Sequence, residues 1–244
     1  MSGHSKWATI KRKKGETDAQ RGKLFTKIGR ELAVAVKQGG PDPQANSRLK
    51  DAIDKAKANN MPGDNVQRCI KKAAGEQDTE NYDEIVYEGY GPGGVAVIVE
   101  AMTDNKNRTA GDVRHFFDKY GGNLGANGCV SWMFDKKGII LVDKATTTKE
   151  DELMMMVVEA GAEDFQADDE YYEIVTSPQD FSPIRDELEK NAIQYDSAEI
   201  QMIPQNYSKL EGKDAEKMET LIEKLEDLDD VQNVYHNWEQ DEED

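Results

Sequence analysis

The chain has little cysteine, little histidine and no long apolar run. Its two cysteines, Cys69 and Cys129, are far apart and neither sits in a CxxC pair. That spacing makes neither a disulfide framework nor a zinc site, so two free buried thiols in a reducing cytoplasm are expected. The three histidines, His4, His115 and His236, show no HExxH-type spacing, and no cysteine stands close by to complete a ligand set. No metal is expected. The longest apolar stretch, GVAVIVEAM at 94–102, has the length of a strand and contains Glu100, so no segment is expected to span a membrane. The opening residues lack the apolar core of a secretory signal. GxSxG, a Walker loop and a GxGxxG leading into a helix are also missing. Gly91-Pro92-Gly93-Gly94 joins two strand-like runs and is read as a tight hairpin turn, since no helix start follows it to aim amides at a phosphate. The carboxylates are scattered along polar faces, and no pair stands out as acid and base. Catalytic residues, a cofactor and a small-molecule substrate are therefore not expected.

Charge is abundant but unevenly divided. The formal net charge is −18. Residues 1–75 nevertheless hold 17 Lys or Arg against 7 Asp or Glu, and residues 76–244 hold 14 against 42. Such asymmetry points to a polyanionic partner for the basic third, with the acidic remainder limiting unspecific contact.

Along the chain, residues 1–20 show no apolar period and read as a basic arm. Leu24, Ile28, Leu32 and Val36 then recur at spacing four, one stripe of a helix that Gly39-Gly40 stops. A second helix is expected at about 45–59 with Leu49, Ile53 and Ala56 inward. A third is expected with Asp64 as its cap, Val66, Ile70 and Ala73 inward, and Gly75 as its stop. The polar run 76–83 is a linker. Beyond it the period becomes two, and the order reads strand, glycine turn, strand, helix (NRTAGDVRHFFDKYGG), then a buried strand CVSWMF at 129–134. From about 136 the order is βαββαβ, the ferredoxin-like unit. A final helix and strand have no core of their own, so they are expected to complete the earlier ββαβ piece. The fold class expected is α+β: an N-terminal small helical domain followed by two ferredoxin-like α+β domains, one of them discontinuous. The boundaries are a basic arm at 1–20, a helical domain at 21–78, a discontinuous domain at 79–134 plus 205–240, and an inserted domain at 135–204.

Nucleic-acid binding is the chemistry that these residues support. Lys6, Lys11, Arg12, Lys13 and Lys14 neutralise phosphates, and Trp7 between them offers a face for an unpaired base. Arg21, Lys23, Lys27 and Arg30 carry the positive charge onto the first helix, where Lys23, Lys27 and Arg30 share a side. Arg108 and Arg114 form a second set. Arg108 either holds a phosphate together with its helix start, or pairs with a nearby acid while Asn107 or Thr109 caps the helix. No helix-turn-helix, zinc finger or RRM signature gives sequence readout, and the residues alone do not separate DNA from RNA. A scaffold that binds basic proteins through its acidic faces is the alternative of another class.

Five stretches carry a family resemblance: GHSKWATIKRKK at 3–14, GGPDPQAN at 39–46, NMPGDNVQRCIKKAAG at 60–75, YEGYGPGGVAVIVEAMTDNKNRT at 87–109 and GGNLGANGCVSWMF at 121–134. They resemble the YebC family of probable transcriptional regulatory proteins, whose mitochondrial relatives are translational activators of a cytochrome oxidase subunit. The resemblance implies three domains and a cytoplasmic protein without enzymatic activity. It implies a DNA-binding regulator of transcription. The alternative is a ribosome-associated translation factor that contacts ribosomal RNA and relieves stalling at proline-rich stretches.

Overall fold

The computed structural model describes residues 18–75, 81–146 and 149–240. The expected arm, with Lys6, Trp7, Lys11, Arg12, Lys13 and Lys14, lies outside the described residues. By contact the chain divides into two units, Met1–Met133 with Pro204–Asp244, and Phe134–Ile203.

The first unit begins with three helices, α1 (Asp18–Gly39), α2 (Ser47–Ala58) and α3 (Gly63–Ala74). The stripe read from the sequence is the packed one: Ile28, Leu32, Val36, Leu49, Ala56, Val66 and Ile70 form one buried cluster, with Leu24 and Ile53 at its margin. The backbone of α1 ends on Gly40, whose φ of 86° is the left-handed conformation that a Cβ disfavours. Asn46 starts α2. Its side-chain oxygen accepts from the Leu49 amide at 3.1 Å, while its nitrogen donates to the Ala35 and Gly40 carbonyls, each at 2.8 Å. One buried carboxamide thus caps one helix and ties down the end of another. Asn46→Ala is expected to cost about 2 kcal/mol, the upper range for an N-cap, because two carbonyls lose their donor as well. Urea denaturation measures it. The expected Asp64 cap is not observed: Pro62 holds that position and Asp64 lies inside the first turn, where its charge suits the helix dipole.

The chain continues through β1 (Asp83–Tyr90), β2 (Ala96–Thr103), α4 (Lys106–Lys119) and β3 (Asn123–Leu124). The second unit holds β4 (Phe134–Asp143), α5 (Glu150–Glu159), β5 (Asp164–Ala167), β6 (Tyr171–Thr176), α6 (Phe181–Lys190) and β7 (Ser197–Pro204), the last residue of which already belongs to the first unit. The chain closes with β8 (Ser208–Lys209), α7 (Gly212–Glu226), β9 (Val231–His236) and β10 (Trp238–Glu239). The class is α+β.

In the first unit the sheet order is β3-β1-β2-β9. The hairpin β1–β2 is antiparallel from Asp83 opposite Thr103 to Tyr90 opposite Ala96. Its turn uses Gly93 and Gly94 at φ 64° and 80°, as the glycine run required. Helices α4 and α7 cover one face, where Val97, Val99, Val113, Phe117, Leu221 and Leu225 are buried together. A hairpin therefore stands where a ferredoxin-like unit would place a βαβ crossover. The second unit has the sheet order β5-β6-β4-β7 with α5 and α6 against it, the ferredoxin-like arrangement, around Ile140, Val142, Ile174, Val157 and Leu188.

The run CVSWMF is not a buried strand. Ser131–Met133 is a 3-10 turn and Trp132 is 66% exposed. The third strand of that sheet's first half is instead the two-residue β3, in the loop that precedes it. Both cysteines are free and half-buried rather than buried.

Candidate nucleic-acid interface

Asp230, in the turn between α7 and β9, organises the cations that the sequence singled out. Its Oδ1 accepts from Arg30 Nη1 at 2.7 Å. Its Oδ2 accepts from Arg108 Nη2 at 2.7 Å, from Thr109 Oγ1 at 2.7 Å and from Thr103 Oγ1 at 3.2 Å. Its own carbonyl accepts from the Met102 amide at 2.8 Å. The Asp230 side chain is only 9% exposed. Burial pushes its carboxyl pKa up, but the Thr109 and Arg108 hydrogen bonds and the two guanidinium charges outweigh that and hold it below the ordinary range. Arg108 is shifted the other way: hydrogen bonds to Asp230 and then Asp104 raise its pKa further.

Two further cations of α1 meet the same region. Lys23 pairs with Asp227 at 2.9 Å, and Lys27 donates to the Glu226 carbonyl at 2.7 Å. Burial lowers the Lys27 pKa, and the nearby Lys23 charge adds to this against the pull of Glu226 and Asp229. Arg30 also reaches the Asp229 and Met102 carbonyls and lies 5.3 Å from the centre of the Tyr82 ring. Lys23, Lys27 and Arg30 do share a side of the helix, and that side is turned to the acidic turn after α7. A second tie runs from Arg48 and Gln38 to Glu84 at the start of β1. Together these contacts clamp the helical bundle onto the sheet. A cleft of about 360 Å³ remains between them, lined by Arg30, Tyr82, Arg108, Thr109, Asp112 and Asp230 among others, and its charges are of mixed sign.

The other predicted residues lie apart. Arg21 is exposed on α1. Arg114 is exposed on α4 and makes no hydrogen bond or ion pair among the described residues. Neither Asn107 nor Thr109 caps α4: Asn105 does, accepting from the Arg108 amide at 3.1 Å, and Thr109 turns to Asp230 instead. Arg68 and Lys71 on α3 were not singled out from the sequence. Both are exposed without a hydrogen bond or ion pair among the described residues, and their spacing opposite Val66 and Ile70 was the signal for them.

A further buried carboxylate shapes the loop before β4. Glu88, 5% exposed, accepts from the amides of Gly128 at 2.7 Å, Val130 at 3.0 Å and Ser131 at 2.8 Å. Burial raises its pKa, but the three amides and the Ser131 hydroxyl outweigh it and the net shift is downward. Two of these amides, those of Val130 and Ser131, are ones a strand at 129–134 would have needed for its neighbours. Among the described residues no group of three His, Cys, Asp or Glu has the geometry of a metal site, and no helix is long and apolar enough to cross a membrane.

A basic helical bundle clamped to an α+β sheet that carries an inserted ferredoxin-like unit defines a multidomain class of known proteins. Residues 5–76 match the model of the TACO1/YebC N-terminal domain, and residues 82–238 match that of the TACO1/YebC second and third domain. The chain belongs to the TACO1/YebC family. It is 65% identical to a probable transcriptional regulatory protein of Acetivibrio thermocellus over 98% of this chain and 99% of that one. A protein of the same description from Caldicellulosiruptor bescii is 62% identical over the full length of both. The crystal structure of a conserved hypothetical protein from Aquifex aeolicus superposes with a TM-score of 0.83 at 48% identity, covering 93% of this chain and 94% of that one.

Proposed function

We propose that the chain is a cytoplasmic, non-enzymatic regulator of gene expression that binds nucleic acid, with DNA as its target in the control of transcription. The observation that carries this is the separation of charge, 17 Lys or Arg against 7 Asp or Glu in residues 1–75 of a protein whose net charge is −18. The names of its relatives support the regulatory part. Lys23, Lys27 and Arg30 are matched by the acidic turn after α7. The main phosphate contacts therefore fall to Lys6, Lys11, Arg12, Lys13 and Lys14, followed by Arg68 and Lys71 on α3, with Trp7 stacking on a base. Arg114 and the exposed half of Arg108 serve as a second set.

Affinity for duplex DNA measured against salt tests it. Seven neutralised phosphates give a slope of log K on log salt of about −6 on duplex and about −5 on a single strand. Removal of residues 1–17 leaves α1 whole and is expected to bring the slope close to that of the bundle cations alone, about −2. A slope near zero in the full chain overturns the reading. Sequencing the nucleic acid that the chain retains from lysate identifies the target. Promoter DNA supports control of transcription, and ribosomal RNA would move the same contacts to translation.

A further inference from the structure

We infer that Trp132, Tyr90 and Asn123 form a platform on which one unpaired nucleobase stacks, a second contact point remote from the basic arm in sequence. The inference rests on the nucleic-acid reading above and adds a site to it. Trp132 is 66% exposed and Tyr90 38%, both unusual for large aromatic side chains. Their polar atoms are already satisfied, and by the same group: Trp132 Nε1 donates to the Cys129 carbonyl at 3.0 Å and Tyr90 OH donates to it at 3.2 Å. One backbone oxygen therefore fixes both rings, and only their π faces and edges are left to an incoming group.

The carbonyl itself is held in place. Cys129 lies between Gly128 and Val130, whose amides are bound to Glu88, and Ser131 completes the set. Beneath it, Gly125 packs so closely that a Cβ there would come within 2.5 Å of Cys129 Sγ. A buried carboxylate serving three amides of one loop makes the loop rigid, so the rings lose little freedom when something stacks on them. An exposed aromatic pair held this firmly does not arise from core packing, because neither ring belongs to the buried cluster of the sheet.

The surroundings select a base over an aliphatic side chain. Asn123 stands directly opposite Tyr90 in the β1–β3 pairing, which puts the two side chains on one face. The Asn123 side chain is exposed and has no hydrogen-bond partner among the described residues. A carboxamide offers a donor and an acceptor side by side, the pattern of a base edge. An aliphatic group would cover the rings and leave that amide unmatched. Glu88 is buried beneath the loop and occupied.

The test uses the full chain with a fluorescently labelled short single-stranded oligonucleotide and the duplex of the same sequence. Trp132→Ala is expected to weaken single-strand binding roughly tenfold, within the range for loss of one stacked base, and to leave duplex binding unchanged. Trp132→Phe keeps a stacking face and is expected to stay within about threefold of the parent on the single strand. Because Trp132 is exposed, thermal melting of both variants should match the parent. An unchanged single-strand affinity in Trp132→Ala overturns the platform and leaves the nucleic-acid reading standing. So does an equal loss on both forms, or a phenylalanine variant as weak as the alanine one. If the parent binds neither oligonucleotide, the nucleic-acid reading itself falls and the platform with it.

Discussion

Asp230→Ala will lower the stability of the first unit by about 4 kcal/mol, the cost of removing one partner from a buried ion pair. Two guanidinium groups and two hydroxyls meet this carboxylate, and the Arg30 side chain is itself only 14% exposed. After the substitution Arg30 keeps carbonyl contacts from Asp229 and Met102 but loses its counter-charge. Asp230→Asn retains the shape and one acceptor and should cost about half as much. Intrinsic fluorescence in urea reports the right transition, because all three tryptophans, Trp7, Trp132 and Trp238, fall outside the inserted unit. A loss below about 1 kcal/mol in the alanine variant would mean that the clamp is a surface pair and holds nothing. The same carboxylate gives a pH dependence. Its folded pKa lies below the unfolded value, so its contribution is complete above the ordinary aspartate range near 3.9 and is lost as pH falls through the lower folded value. The alanine variant should therefore show a flatter decline in acid than the parent.

Glu88→Ala is expected to have the second largest effect, about 3 kcal/mol, because three amides of one loop lose together the acceptor they share. The effect should be local. Hydrogen exchange at the Gly128, Val130 and Ser131 amides should quicken by about two powers of ten, while α1, α2 and α3 keep their protection. Glu88→Gln leaves one carbonyl oxygen and should fall between. Its carboxyl too is held below the ordinary range, so the loop should loosen as pH falls through that lowered pKa, and not as pH rises. Unchanged exchange in the alanine variant would show that the glycines and Val130 alone hold the loop.

The helical bundle and the hairpin were legible because their signals are local. Leu24, Ile28, Leu32 and Val36 recur at helical spacing, and Gly91 through Gly94 interrupts two strand-like runs. The second unit was legible for the same reason. What failed involved partners far along the chain. CVSWMF is apolar enough to read as a buried strand, but two of its amides turn to Glu88 some forty residues away, and no local pattern announces that. β3 has two residues, too few for any period. Lys23, Lys27 and Arg30 were read as a phosphate-binding side because three like charges stood together. Their counter-charges, Asp227, Asp229 and Asp230, lie about two hundred residues later, among carboxylates that read as the solvated charge of an acidic helix. The site residues on the arm are legible only as composition, as a basic run carrying one indole.

The distance between those partners matters during synthesis. Domains generally fold as they emerge, N-terminal part first. The bundle, with its core of Ile28, Leu32, Leu49 and Val66, is complete once residue 75 has been made. The side that carries Lys23, Lys27 and Arg30 then waits for the turn after α7, and β2 waits for β9, while the whole inserted unit is translated. A nascent chain thus displays an unbalanced cationic helix next to an open sheet edge until the turn after α7 and β9 have been made. A chain cut before Asp227 would keep that state permanently, with the cations of α1 and the edge of β2 left without their partners.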